Sequence, residues 1–235
     1  MSTRPATYVL VHGAGMGASC WERLLPHLDA PALAVDLPGR GSRAGTPVET
    51  VGLEDCARAL SEDVATLDAD ELVLVAHSFA GVTVPRVMAE LAPRLRHVVF
   101  LSAVVPPDGT SVLDQIDPSV REAVRASTTG GVYAQDRAGV QAMLCNDMDA
   151  EQTAWTLDQA VDDSAALLTE TVDLRGLAAD VPRTYVRLSR DVCYPPELQE
   201  RSAAVVGGDV AHLDTGHMAM VTAPGRLADL LRSLG

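Results

Sequence analysis

The sequence predicts one α/β domain: a mostly parallel sheet of about six strands with helices flanking it. Three observations lead there. Short β-branched runs alternate with longer stretches whose apolar residues recur three and four positions apart, the pattern of strand–helix–strand crossovers. The strand-like runs are apolar on both faces, so both faces are to be buried, as in a parallel sheet. The length, 235 residues, suits one such domain with an insertion and buries a sizeable core without disulfide staples.

In chain order, residues 8–12, 32–36, 72–77 and 97–102 read as the first strands. Residues 21–28 and 53–67 read as crossover helices, and 79–91 as the helix after the third strand. After Ser102 the alternation stops: Val104-Val105-Pro106-Pro107-Asp108-Gly109 is a turn cluster, and from there to about residue 180 the chain reads as several polar, Asp-rich helices. Strand patterns return at 184–188 and 209–213, and a last helix begins at Pro224. The sheet domain is therefore read as discontinuous, residues 1–103 and 183–235, with 104–182 inserted over one edge as a lid. No internal repeat or low-complexity segment breaks this pattern.

Composition removes several chemistries. All 18 basic residues are arginine, which excludes a lysine Schiff base, a phosphate-loop lysine and a tyrosine–lysine dehydrogenase pair. A net charge of −14 argues against nucleic acid and against anionic membranes as partners. The four cysteines, Cys20, Cys56, Cys145 and Cys193, stand far apart without CxxC spacing, which predicts reduced thiols, no zinc framework and a cytoplasmic location. The first apolar run starts at Tyr8, too early for a signal peptide, and no run approaches the roughly 18 apolar residues of a membrane span. No metal and no cofactor is expected.

The third strand, Leu72-Val73-Leu74-Val75-Ala76-His77, runs into Ser78-Phe79-Ala80-Gly81, a strand–turn–helix elbow. Such a turn strains the serine backbone, exposes its hydroxyl and aims the next helix N-terminus at it, while small neighbours let the chain pass. Ala76 and Ala80 stand where glycine is usual. A serine there also caps helices, so the rest of the chain decides between the two readings. A serine hydroxyl needs a base to take its proton, and the base needs a carboxylate to fix its tautomer. His217, in Leu213-Asp214-Thr215-Gly216-His217-Met218, lies just past the last strand, where the base belongs in the order serine, acid, histidine. Asp191, after the strand at 184–188, is the leading acid, with Asp209 and Asp214 as rivals. Of the other histidines, His27 and His97 read as surface or strand-edge positions, His77 points away from the site by strand alternation, and His12 braces the loop it opens.

Two readings compete for His12-Gly13-Ala14-Gly15-Met16-Gly17-Ala18. As a dinucleotide loop, Gly13, Gly15 and Ala18 would cradle a pyrophosphate and Asp36 would hold the ribose. As a hydrolase loop, the Ala14 amide would join the Phe79 amide in holding a developing oxyanion. The second reading also accounts for Ser78, Asp191 and His217 and is preferred.

On Val9-Leu10-Val11-His12-Gly13-Ala14, Cys20-Trp21, Asp36-Leu37-Pro38-Gly39-Arg40-Gly41, His77-Ser78, Pro107-Asp108-Gly109 and above all His217-Met218-Ala219-Met220, the chain resembles the α/β-hydrolase superfamily. Within it, the chain is similar to the plant methylesterase and hydroxynitrile lyase family and its bacterial esterase relatives, over most of its length. The resemblance implies an α/β-hydrolase fold, a Ser78–His217–Asp191 triad, an oxyanion hole from the amides of Ala14 and Phe79, and a small helical cap at 104–182. The lyases of that family carry a threonine at the position of Gly13 and a lysine at that of Met218, so cyanogenic lyase chemistry is not expected. An aromatic content of 3% argues against a pocket built for aryl substrates.

The expected activity is hydrolysis of a small, largely apolar carboxylic ester or lactone through an acyl-enzyme. Gly13, Met16, Met143, Leu144, Met148, Trp155 and Met218 are the pocket candidates. Two alternatives stay open: use of the same triad without hydrolysis, as a carbon–carbon lyase, cyclase or ligand receptor, and, less favoured, an NAD(P)-dependent oxidoreductase. The acidic surface disfavours an acidic acyl-carrier partner. A homodimer is compatible with the sequence, which fixes no oligomeric state.

Overall fold

The computed structural model describes residues 5–126 and 128–234. Strands β1 (Thr7–Val11), β2 (Ala32–Val35), β3 (Leu72–His77) and β4 (Leu95–Leu101) come first. Two short strands, β5 (Val132–Tyr133) and β6 (Asp163–Ser164), pair antiparallel with each other, and β7 (Arg183–Leu188) and β8 (Asp209–Leu213) return to the main sheet. That sheet is wholly parallel, in the order β2-β1-β3-β4-β7-β8.

β1 and β3 are buried at every position, as their unbroken apolar runs predict. β2 and β8 are partly exposed because each has a neighbour on one side only, which corrects the expectation that residues 32–36 are buried on both faces. Alternation divides the core in two. Val9, Val11, Leu72, Leu74 and Ala76 pack on one face with helices α1 (Leu53–Ala65) and α2 (Ala80–Leu91). Tyr8, Leu10, Val73 and Val75 pack on the other with Trp21.

α1 forms because Leu53, Cys56, Ala57, Leu60 and Val64 recur on one buried face, and acidic Glu54 and Asp55 sit in its first turn, where the helix dipole favours them. Its far end is closed by Arg94, whose guanidinium donates to the carbonyls of Val64, Leu67 and Ala69. Residues 21–28 do not form the expected crossover helix. They make two short 3₁₀ turns, Ala18–Trp21 and Leu25–His27, since Pro26 lacks the amide that a continuous helix needs there.

Between β4 and β7 the chain forms α3 (Val112–Gln115), α4 (Pro118–Ala126), α5 (Arg137–Leu144), α6 (Ala150–Gln159) and α7 (Ala166–Thr169), together with the β5–β6 pair. This excursion leans on both cores: Leu167, Leu168, Val172 and Leu174 join the first, and Val140, Leu144 and Leu157 the second. The chain closes with α8 (Pro196–Val206), α9 (Ala219–Thr222) and α10 (Pro224–Leu234). Among the described residues no helix is long and apolar enough to cross a membrane.

The strand order places the site. β1 pairs with β2 on one side and β3 on the other, so the chain reverses its direction of winding there, and the loops leaving the two strands part to open a crevice at their carboxyl ends. The loops after β1, β3, β4, β7 and β8 all leave that same edge of the parallel sheet.

Candidate active site

β3 delivers Ser78 with φ at +54°, a left-handed conformation that side chains rarely adopt. Packing over-determines it: the Ser78 amide donates to the Leu101 carbonyl at 3.2 Å, and its carbonyl accepts from the amides of Gly81 (3.0 Å) and Val104 (2.8 Å). Neither Ala76 nor Ala80 has the positive φ that would call for glycine; the close approach in the elbow falls at Gly81, where the Val104 carbonyl leaves no room for a Cβ.

Ser78 Oγ lies 3.0 Å from His217 Nε2, and His217 Nδ1 lies 2.6 Å from Asp191 Oδ2. All three are buried. The carboxylate requires a proton on Nδ1, which leaves Nε2 to accept from the serine hydroxyl. Asp191 is itself held by four donors. Oδ2 also accepts from Ser102 Oγ at 2.7 Å, and Oδ1 accepts the amides of Cys193 and Tyr194, each at 2.9 Å. Burial pushes the Asp191 carboxyl up, but the His217 ring, the Tyr194 amide and the Ser102 hydroxyl outweigh it and hold it below the ordinary carboxylate value. Asp209 stays exposed at the start of β8, and exposed Asp214 accepts from Ser189 Oγ at 2.6 Å, so neither rival bonds His217.

The glycine loop is braced by His12. Its Nε2 accepts the Leu37 amide at 3.2 Å, so its Nδ1 carries the proton and donates to the Gly13 carbonyl at 2.8 Å. Asp36 turns inward: Oδ1 accepts the Ala18 amide and Oδ2 the Ser42 amide, both at 2.8 Å. The carboxylate that the dinucleotide reading gave to a ribose is thus engaged within the loop. Among the described residues, the amides of Ala14 and Phe79 have no hydrogen-bond partner, and both residues border the cleft with Ser78.

That cleft has a free volume of about 50 Å³. Gly13, Met16, Met143, Leu144 and Met218 of the predicted pocket border it. Met148 and Trp155 do not. Met148, in the loop before α6, and Trp155, on α6, pack against the second core, where Met148 Sδ accepts from Thr156 Oγ1 at 3.3 Å and the Trp155 ring lies 5.1 Å below the Arg23 guanidinium. Three further residues border the cleft that were not among the pocket candidates: Tyr133, Gln135 and Cys193. Burial pushes the Cys193 thiol up to about 12, with Asp191 adding to the shift, so it stays protonated at neutral pH and does not rival Ser78 as a nucleophile.

Gly13 is the tightest point of the cleft. A Cβ there would stand 2.7 Å from Ser78 Cβ and 3.2 Å from its Oγ. Gly13→Ala is therefore expected to displace the hydroxyl and lower kcat about 100-fold. Steady-state kinetics beside a crystal structure of the variant checks this, and a wild-type rate would refute it.

Residues 8–230 match the model of the "Alpha/beta hydrolase family". The chain belongs to the α/β-hydrolase family. Its relatives include the carbendazim hydrolyzing esterase of Nocardioides sp. (strain SG-4G), 28% identical over 98% of this chain and 100% of that one. Methylesterase 1 of Arabidopsis thaliana is 26% identical, over 96% and 94%. Among solved structures, an extracellular α/β-hydrolase from a Paenibacillus species superposes with a TM-score of 0.88 over 98% of this chain and 99% of its own, at 23% identity. That last likeness bears on the fold.

Two histidines of this α/β-hydrolase sit differently from the sequence expectation. His77 does not point away. It shares the Val73 and Val75 side of the sheet, and the His217 loop wraps round to that side. The two rings lie 4.7 Å apart, and His77 Nε2 donates to the His217 carbonyl at 3.0 Å. His97, expected at a surface or strand edge, is buried and bridges to Thr184 Oγ1 at 2.9 Å, because β4 is an interior strand. His27 is exposed, as expected.

Burial lowers His12 to about 4, with nearby Arg40 assisting, and lowers His77 to about 3, with His217 assisting. Both stay neutral in the fold while the unfolded chain takes up protons near pH 6.5, so stability is lost as pH falls below that value. Each histidine contributes about 2 kcal/mol of this loss at pH 5. The melting temperature is expected to drop between pH 7 and pH 5, and to drop less in His77→Gln; a flat profile over that range would contradict the assignment.

The 104–182 excursion also grips the loops that carry the acid and the base. Asp147 Oδ2 accepts the Gly216 amide at 2.6 Å, next to His217, and Asn146 Nδ2 donates to the Arg190 carbonyl at 2.8 Å, next to Asp191.

Proposed function

We propose that the protein is a serine esterase that cleaves a small, largely apolar carboxylic ester or lactone through an acyl-enzyme. The observation that carries this reading is the unbroken sequence Ser78 Oγ, His217, Asp191, at 3.0 and 2.6 Å, beside a cleft walled by methionine and leucine. The relatives that are named as esterases support it.

In this reading His217 Nε2 takes the Ser78 proton as Oγ attacks the ester carbonyl. The amides of Ala14 and Phe79 receive the oxyanion, the second of them helped by its place at the N-terminus of α2. Asp191 stabilises the imidazolium, which then protonates the departing alcohol. Water, activated by the same imidazole, releases the acid. Residues 104–182 act as the cap: Tyr133, Gln135, Met143 and Leu144 from this segment close over the serine.

The test is hydrolysis of a panel of small alkyl, aryl and lactone esters, with products identified, alongside labelling by a serine-directed fluorophosphonate. Turnover of short apolar esters with the adduct mapped to Ser78 is expected. A folded protein that turns over none of them and carries no adduct would refute the reading.

A further inference from the structure

The 104–182 segment meets the glycine loop at a buried ion pair. Asp163, at the start of β6, is fully buried, and Arg40, in the loop after β2, is 2% exposed. The guanidinium donates twice, Nη2 to Oδ1 at 2.5 Å and Nη1 to Oδ2 at 2.6 Å. This is the planar fork that arginine forms with a carboxylate. The remaining acceptor capacity is taken by two amides: that of Ser164 on Oδ1 at 2.7 Å, and that of Gly15 on Oδ2 at 2.8 Å. Desolvation offsets most of the attraction in such a pair, so net stability does not explain why the carboxylate is spent on a loop amide.

The Gly15 amide belongs to the peptide plane that follows Ala14. The plane that precedes Ala14, and carries its N–H, is pinned by His12 on the Gly13 carbonyl. One plane further on, the Gly15 carbonyl accepts the Val161 amide at 3.0 Å. With the planes on both sides of its Cα fixed, Ala14 keeps no freedom in φ or ψ, and the direction of its N–H is set. Gly15 itself sits at φ +69°, where glycine has little intrinsic preference, so the orientation depends on these bonds. One of them comes from the sheet side; two come from the 104–182 segment.

We propose that Asp163, held in place by Arg40, is a positioning residue for the oxyanion hole: it fixes the Ala14 amide and makes the cap part of the catalytic machinery. The proposal rests on reading Ser78, His217 and Asp191 as the triad and Ala14 as an oxyanion donor.

Two double variants separate the hydrogen bond from the ion pair. Arg40→Met with Asp163→Asn removes both charges and keeps one acceptor oxygen, which serves the Gly15 amide when Nδ2 takes the place of Oδ1 and the local Ser164 bond is given up, whereas Arg40→Met with Asp163→Leu removes both acceptors. The first is expected to keep kcat within about threefold of wild type and the second to lose about 100-fold, with KM within threefold in both. Arg137→Gln, which breaks the exposed cap pair with Asp158, serves as the control and is expected to leave kcat unchanged. Equal kcat in the two double variants, or a loss confined to KM, would overturn the proposal.

A measurement on the wild-type protein needs no variant to fold. On binding a trifluoromethyl ketone, whose adduct with a serine places an oxyanion in the hole, hydrogen exchange is expected to slow over residues 13–16 and 161–164 together. Slowing confined to 13–16 would overturn the proposal. Should the wild-type protein hydrolyse no ester, or Ser78→Ala keep its rate, the esterase reading falls and the proposal with it. If both behave as expected while the double variants agree, the proposal alone falls.

Discussion

Ser78→Ala is expected to lower kcat by about five to six orders of magnitude on any ester that the wild-type protein hydrolyses. The size follows from what remains. Without Oγ no acyl-enzyme forms, and His217 is left facing a methyl group; the oxyanion donors and substrate binding still accelerate attack by water, by about 10³–10⁴ over solution. Folding should be little affected, since the hydroxyl makes one hydrogen bond and the φ of +54° is held by backbone bonds that alanine keeps. The check is kcat by steady-state kinetics, with the melting temperature measured on the same preparation. A loss below tenfold would remove Ser78 from the role of nucleophile.

Asp191→Asn carries the second largest effect, a fall in kcat of about 10⁴ with a small change in KM. The bonding around the carboxylate dictates it. Oδ1 accepts two backbone amides, from Cys193 and Tyr194, so the carbonyl oxygen of an asparagine must occupy that position. Its NH₂ then replaces Oδ2 and faces His217 Nδ1. Nδ1 is forced to accept, the proton moves to Nε2, and the imidazole can no longer take the proton of Ser78. The fold keeps its shape because the two amides keep their acceptor. An unchanged rate would exclude Asp191 as the acid, and kinetics on Asp209→Asn and Asp214→Asn would then show which carboxylate serves.

The sheet was legible because its strands are short, largely apolar runs set between turn and helix patterns: residues 72–77 and 209–213 match β3 and β8 at both ends. Chain order was legible too, since a parallel sheet sends every carboxyl-terminal loop to one edge: Ser78 follows β3 directly, and Asp191 and His217 lie in the loops just past β7 and β8. What stayed hidden depends on tertiary packing. Alternation gives the side of the sheet on which His77 lies but not the path of the His217 loop, which folds back over that same side. Pro26 was a visible signal against a helix at 21–28. The placement of Tyr133, Gln135 and Cys193 at the cleft had no signal, because a two-residue strand and short loops set it, the first two within the excursion and Cys193 after β7, not a periodic element. Nor did Trp155 reveal which face of α6 meets the core, since the helix is only weakly amphipathic: its buried positions are Thr156 and Leu157. Ser102, which steadies Asp191, leaves a trace only in hindsight, as a small polar residue at the end of an apolar strand.

The narrowness of the cleft has a consequence for selectivity. A free volume of about 50 Å³ is small beside the small-molecule pockets that run from about 300 Å³ upward. An ester is therefore expected to bind a form in which the side chains over Ser78 have drawn aside, with an apparent affinity scaled by the population of that form. The opening penalty is common to every substrate, so discrimination rests on how completely each acyl group refills the space that opens. Methionine suits such a wall: Met16, Met143 and Met218 are unbranched, turn about three bonds and can close around more than one shape. A series of acyl chains of rising length should accordingly show a broad optimum in kcat/KM instead of a sharp cutoff.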